Sequence, residues 1–274
     1  MLGNVFSPYY AWSRARDPLD HSALNVALYG DGGKRWAMTE RRRSALTRTV
    51  DRLRIGPSHV SWQGDELVIE IDECAAPVPY RLRGTVRLSA PHCQPRAFCL
   101  DETGGHFWWP IAPNARLEVD FKQPARKWQG VGYLDSNWGA EPLSRAFPSW
   151  QWLRTSSPDG GAAIVYDAKR HRREPLQLAL EVSASGEARA FKPPATAPLP
   201  KTGWRIGRDA PVDPGGEATV LRTLEDTPFY ARSELELDLL GQRTRGVHES
   251  LSLERFDMPI VRLMLPFRMP RTWR

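Results

Sequence analysis

Short runs in which apolar and polar residues alternate, broken by turn signals at intervals of roughly 8–12 residues, govern what this chain can fold into. Glu66-Leu-Val-Ile-Glu-Ile-Asp72, Arg81-Leu-Arg-Gly-Thr-Val-Arg-Leu88 and Leu176-Gln-Leu-Ala-Leu-Glu-Val182 each carry one apolar and one polar face. A period of two is the mark of a half-buried strand. Strand-like runs recur at Leu24–Tyr29, Asp51–Ile55, Val60–Trp62, Arg116–Phe121, Trp150–Arg154, Ala162–Tyr166, Ala188–Phe191, Thr219–Leu224, Ser233–Leu239 and Gly246–Leu253. Between runs stand Gly30-Asp-Gly-Gly33, Gln63-Gly-Asp65, Pro158-Asp-Gly-Gly161, Ala184-Ser-Gly186 and Leu240-Gly241, all turn chemistry. Only Thr39–Thr49 reads as a helix, and its Arg41-Arg-Arg43 run as a solvated face. The expected fold is all-β, of barrel or sandwich type. At 274 residues there is room for two such units, 1–140 and 141–274, with a seam near a loop at Asp135. The Pro-rich stretch Lys192–Pro200 is expected to be extended, wrapping or linking.

The formal charge of +6 suits an anionic membrane surface or a nucleic acid. No RNA-binding aromatic signature accompanies it and the arginines form no stripe, so a nucleic-acid partner is not expected. Gly130-Val-Gly132 lacks the third glycine and the following helix of a nucleotide loop. Cys74, Cys93 and Cys99 are odd in number and form no C-x-x-C pair, which argues against structural zinc and disulfides and for a reducing compartment. The first residues lack the basic start and apolar run of a signal peptide, and no apolar run is long enough to span a bilayer as a helix. A soluble or peripheral chain is expected.

Chemistry concentrates in Gly130-Val-Gly-Tyr-Leu-Asp-Ser-Asn-Trp-Gly139, which sets Asp135 among Tyr133, Asn137 and Trp138, with Trp150 and Trp152 close behind. One carboxyl group beside several aromatic faces suits a reaction that passes through a carbocation: the acid delivers a proton and the rings stabilise the charge that results. A plain turn role is the alternative for an Asp before Ser-Asn. Trp150 and Trp152 share one face of a strand, as substrate wall or as core, whereas Trp108 and Trp109 face opposite ways and only one can see a pocket.

These segments resemble the carotenoid 1,2-hydratases of phototrophic bacteria. The resemblance runs from Val5-Phe-Ser-Pro-Tyr-Tyr-Ala-Trp-Ser13, Asp17-Pro-Leu-Asp-His21 and Ala23-Leu-Asn-Val-Ala-Leu-Tyr-Gly30, through Met38-Thr-Glu-Arg41 and Gly104-Gly-His-Phe-Trp108. It ends at Pro228-Phe-Tyr-Ala-Arg-Ser233 and Gly246-Val-His-Glu249. The Tyr-x-Asp-x-Asn-Trp-Gly core followed by Trp-x-Trp is similar to a wider lipocalin-like set that includes plant tocopherol cyclase. The resemblance implies two lipocalin-like (calycin-type) β units packed together and no cofactor; no metal is expected, since the proton itself serves as the electrophile. It also implies addition of water to the terminal C1=C2 bond of an acyclic carotenoid such as neurosporene or lycopene. The family's functional positions fall on Asp135, Tyr133, His106 and Trp108. Some members carry extra N-terminal sequence not found here, which leaves membrane attachment less defined than the chemistry.

Protonating an unactivated alkene needs a neutral acid. A solvated Asp, with a pKa near ~3.9, is ionised at neutral pH. Burial disfavours the carboxylate and raises that value, by up to roughly 3–5 units. Asp135 is therefore expected in a mostly dry pocket, protonated at rest. His106 or Tyr133 would hydrogen-bond it, return its proton or hold the attacking water, and Trp108, Trp138, Trp150 and Trp152 would wall the cation. Tyr230, Arg232 and His248 are expected to be structural or supporting, and His21, His59, His92 and His171 to have no role. The C-terminal stretch 259–274 mixes bulky apolar residues with Arg262, Arg268, Arg271 and Arg274, a candidate peripheral contact on the cytoplasmic side of the inner or intracytoplasmic membrane. A last core strand at Ile260–Phe267 is the alternative. The rival functions are a lipocalin-like isoprenoid cyclase and a non-catalytic carotenoid or lipid carrier.

Overall fold

The computed structural model describes residues 1–14, 17–30, 32–90 and 93–272. Asp31 of the first turn signal, His92, and Trp273 and Arg274 of the tail lie outside them. The chain is all-β, as the alternation predicts. Its principal elements are an eight-stranded and a seven-stranded antiparallel sheet, with two further two-stranded hairpins, and among the described residues no sheet closes on itself as a barrel.

Two compact units result. The first takes Met1–Pro91, Ala115–Gly132 and Arg262–Arg274; the second takes His92–Asn114 and Tyr133–Val261. Neither is one uninterrupted stretch, whereas the sequence suggested a single cut after residue 140. The long strands His106–Gln123 and Ala125–Gly139 each supply residues to both units.

In the first unit, the hairpin Ser22–Leu28 and Arg35–Arg41 places Val26, Leu28 and Ala37 in a core with Ile71, Leu82, Val119 and Phe121. The Thr39–Thr49 helix expected from the sequence does not form. That stretch contains the end of the strand Arg35–Arg41, a single 3-10 turn at Arg43–Ala45 and the strand Leu46–Arg48. Arg41 is drawn into the strand because Glu73 binds its guanidinium through two hydrogen bonds, at 3.1 and 2.7 Å. The tertiary ion pair overrides the local helix pattern.

In the second unit the seven-stranded sheet includes, in spatial order, Arg173–Val182, Ala162–Arg170, Ser149–Ser156, Gln242–Ser252 and Tyr230–Leu239. Tyr230–Leu239 alternates without a break: Ala231, Ser233, Leu235, Leu237 and Leu239 are buried and the residues between them are half-buried. Its turn into the next strand has positive φ at both Leu240 and Gly241, the backbone that a tight two-residue hairpin requires. Leu153, Val165, Leu235 and Leu237 project from one sheet face against Leu199 and Ala210. The last two come from the hairpin Thr196–Leu199 and Arg208–Pro211, so the Pro-rich stretch forms part of a core cover. Truncating Leu235, fully buried, to Ala is expected to destabilise by roughly 2–5 kcal/mol.

The stretch around Asp135 is strand, not loop: Ala125–Gly139 is continuous. The tail is not a strand either. Pro259–Met264 is a short α-helix followed by a 3-10 turn at Leu265–Phe267.

Candidate active site

Alternation along the two long strands decides what the site receives. His106 and Trp108 share one face of their strand, as do Tyr133 and Asp135 of theirs. Trp108 is fully buried, and its indole N–H donates to Asp135 Oδ2 at 3.0 Å and to the Tyr133 hydroxyl at 3.2 Å. The Tyr133 hydroxyl in turn donates to the same Oδ2 at 3.1 Å. Indole, phenol and carboxyl thus close a triangle around one oxygen.

The exposed-core face of the seven-stranded sheet lies opposite the Leu153 face and supplies the aromatic wall. Trp152 pairs across the sheet with Tyr166 on one side and Glu249 on the other, and directly paired residues project from the same face. The Tyr133 and Trp152 rings lie 5.1 Å apart. Trp108 lies 5.4 Å from Tyr166 and 5.5 Å from Phe98, and Trp150 lies 6.2 Å from Tyr166. These tilted pairs are ordinary favourable ring geometries.

Asp135 is half-buried, and its pKa is raised, chiefly because burial penalises the carboxylate. The Trp108 and Tyr133 hydrogen bonds and the Asn137 side chain oppose that rise, while the negative charge of Glu249 adds to it. The phenols of Tyr133 and Tyr166 are also pushed far above their usual range, first by burial and then by the Asp135 charge. Both stay protonated, so each can donate a hydrogen bond as well as accept one.

His106 is brought near in sequence but not into this triangle. Its ring is 1% exposed and stands 5.2 Å from Phe147, edge to face. Neither ring nitrogen has a hydrogen-bond partner among the described residues, and the Glu141 carboxylate is 4.0 Å from Nε2. Burial lowers its pKa, against the pull of Asp101 and Glu141, so the ring is neutral. Asp101 Oδ1 accepts from the Gly105 N–H at 2.8 Å and shapes the turn that delivers it. Gly139 is required here because a Cβ would strike the His106 ring.

Trp138 does not line the site. It is 47% exposed and stacks on Phe107 at 5.3 Å, on the strand faces away from Asp135. Trp109 also turns away, its indole donating to the Gln94 carbonyl at 2.6 Å. Trp150 and Trp152 do share the site face. His248 faces the other side of the sheet, where its Nε2 meets the Asp209 carbonyl at 3.0 Å. Arg232 lies on the site face, ion-paired to Glu249 at 2.6 Å. Tyr166 and Glu249 are the residues that sequence reasoning did not single out. Only the register between strands nearly a hundred residues apart brings Glu249 beside Trp152. A cavity of about 330 Å³ lined by Thr155, Glu181, Arg189 and Gln242 shares no residue with this group.

The sequence model for carotenoid hydratase CrtC matches residues 1–274. The chain is 54% identical to an acyclic carotenoid 1,2-hydratase of Thiocapsa roseopersicina, over 99% of this chain and 68% of that one. It is 46% identical to the protein of that name from Rubrivivax gelatinosus, over 98% and 68% of the two chains. It is 41% identical to the one from Cereibacter sphaeroides, over 98% and 96%.

Proposed function

The chain belongs to the carotenoid hydratase family, and from that premise we propose that it adds water across the terminal C1=C2 bond of an acyclic carotenoid, with Asp135 as the acid. One observation carries the residue assignment: Asp135 is half-buried, and the side chains that donate to it, Trp108, Tyr133 and Asn137, are all neutral. A carboxyl group so placed is held protonated by burial. Trp108 and Tyr133 both donate to Oδ2, which leaves Oδ1 the better placed to carry the transferable hydrogen. Its delivery to C2 leaves a tertiary cation at C1. As charge develops on the departing carboxylate, the indole and phenol donors stabilise it without reorganising. The faces of Trp152, Trp150 and Tyr166 stabilise the cation. Water closes the sequence by forming the C1–O bond. No step needs a cofactor, because the electrophile is the proton.

Purified protein incubated with lycopene or neurosporene in detergent is expected to give a product heavier by one water, with one deuterium at C2 when the solvent is heavy water. Cyclisation would leave the mass unchanged, and a carrier would bind without turnover. Asp135→Asn should remain folded and lose hydration; wild-type turnover in that variant would refute the acid.

The substrate resides in bilayers, and the tail suits a peripheral contact at the cytoplasmic face of the inner membrane. Ile260, Leu263, Met264 and Phe267 are exposed, Phe267 by 73%. Arg262 and Arg268 stand among them, and basic groups near an anionic leaflet contribute about 1 kcal/mol each. Leu263→Glu with Phe267→Glu should abolish co-sedimentation with anionic vesicles while leaving turnover in detergent intact. Undiminished sedimentation would remove the tail from the reading.

A further inference from the structure

Hydration needs two proton transfers, and Asp135 accounts for only the first. The water that captures the cation must lose a proton as its C–O bond forms. Glu249 stands one strand beyond Trp152 on the same sheet face, as its direct cross-strand partner, at the roughly 4.8 Å spacing of neighbouring strands. Trp152 in turn faces Tyr133. The charge of Glu249 reaches both Asp135 and Tyr166, so the carboxylate lies within electrostatic range of the acid. Arg232, its partner on the other flank, donates from Nε at 2.9 Å and Nη2 at 2.6 Å, both to Oε1. Among the described residues, Oε2 receives no hydrogen bond. The Glu249 side chain is about one-fifth exposed, enough for water to reach it.

We propose that Glu249, oriented by Arg232, holds the attacking water and takes its proton. This rests on the hydratase reading above. Asp135 Oδ1 gives its proton to C2 as the alkene π pair forms the C–H bond. A water lone pair forms the C1–O bond while one water O–H pair stays on oxygen and its proton passes to Glu249. Asp135 is left as carboxylate and Glu249 as carboxylic acid, and exchange with solvent resets both. The division of labour follows the donors. Asp135 has neutral donors and is suited to give a proton; Glu249 is held by the Arg232 guanidinium through Oε1, which leaves Oε2 to face the water. Two carboxyl groups set apart with water between them are a known way to separate acid from base.

Glu249→Gln separates this role from a structural one. The cation should still form but be captured slowly, and the Asp135 carboxylate would then return it to alkene. In heavy water, hydration should fall by about 10²-fold or more, while deuterium appears in recovered substrate. Wild-type hydration in Glu249→Gln overturns the proposal and leaves Asp135 untouched, since Asp135→Asn should lose hydration and exchange together. Loss of hydration without exchange, in protein with a native near-ultraviolet circular dichroism spectrum, also overturns it. Should the Gln variant not fold, Glu249→Asp keeps the charge but withdraws it from the water; its ratio of exchange to hydration should rise, and an unchanged ratio counts against the proposal. If wild-type protein hydrates nothing, the functional reading itself fails.

Discussion

Glu73 in the first unit and Asp135 in the second are both withdrawn from water, but they are held by different partners. Glu73 is 1% exposed and takes two hydrogen bonds from Arg41 and one from Ser58 at 2.7 Å. Burial pushes its pKa up, and the guanidinium and hydroxyl pull it back. Nearby Glu40, fully buried, is likewise held by Arg271 and by His21 at 2.7 Å. These are structural ion pairs. They fix the Arg35–Arg41 strand. Asp135 is offered an indole and a phenol instead. Neutral donors orient a carboxyl group without forcing it to ionise. In this chain the two acids differ in the kind of donor that holds them: a guanidinium for Glu73, neutral groups for Asp135.

The sharpest challenge to that contrast is to remove each charge in turn. Asp135→Asn should cut hydration by 10²-fold or more, about the contribution of a general acid, without lowering stability. A carboxyl group whose folded pKa is raised binds more protons folded than unfolded, so stability declines as pH rises from the ordinary Asp range through the raised value. The amide abolishes that decline, and the variant should melt higher than wild type above neutrality. Hydration by wild type should fall on the alkaline side as Asp135 loses its proton. Glu73→Gln should do the reverse: turnover per folded molecule is kept, but stability drops by about 3–5 kcal/mol because Arg41 is left as an uncompensated buried charge. Thermal melts across pH, beside product assays, decide both. A destabilised Asp135→Asn, or a harmless Glu73→Gln, would erase the distinction.

Tyr133→Phe sharpens the comparison from the donor side. It removes one hydrogen bond to Oδ2. The lost bond favoured the carboxylate, so the pKa of Asp135 should rise further and the alkaline limb of the pH–rate profile should move up. The rate itself should fall roughly 10- to 100-fold, as expected for losing a hydrogen bond worth about 1.5–3 kcal/mol to a group that becomes charged. A lower rate with an unshifted limb would mean that Tyr133 acts on the substrate and not through the acid.

Much of this architecture was legible in the sequence because strand alternation is a local signal. Leu176–Val182 and Ser233–Leu239 reveal their faces without any partner, and the same rule separated Trp108 from Trp109. The Asp135 strand looks like a loop in sequence because Gly130, Gly132, Lys127 and Gln129 dilute its alternation; pairing with the preceding long strand, not propensity, makes it a strand. The Thr39–Thr49 region misled for the complementary reason, since the ion pair that straightens it joins residues 32 apart. Glu249 closes the segment Gly246-Val-His-Glu249, but its neighbour Trp152 is assigned by sheet register alone. Acid, indole and phenol were identifiable as residue types; which donor reaches which oxygen is a tertiary fact.

Trp138 offers the smallest expected effect and tests how far the aromatic wall extends. It stands three residues after Asp135 in the same strand, so alternation sends the two side chains to opposite faces. Its ring packs on Phe107, which lies on the far side of its own strand from Trp108. Trp138→Ala should lose part of a half-exposed stacking contact, about 0.5–1.5 kcal/mol, and change turnover less than twofold. Trp152→Ala removes a ring that touches Tyr133 and adjoins Glu249, and should lower turnover much further. Both variants share the Trp-to-Ala chemistry and a position near Asp135 in the chain or in space. A difference between their rates therefore reports which strand face the cation sees, and equal losses would mean that the wall wraps around the strand edge to include Trp138.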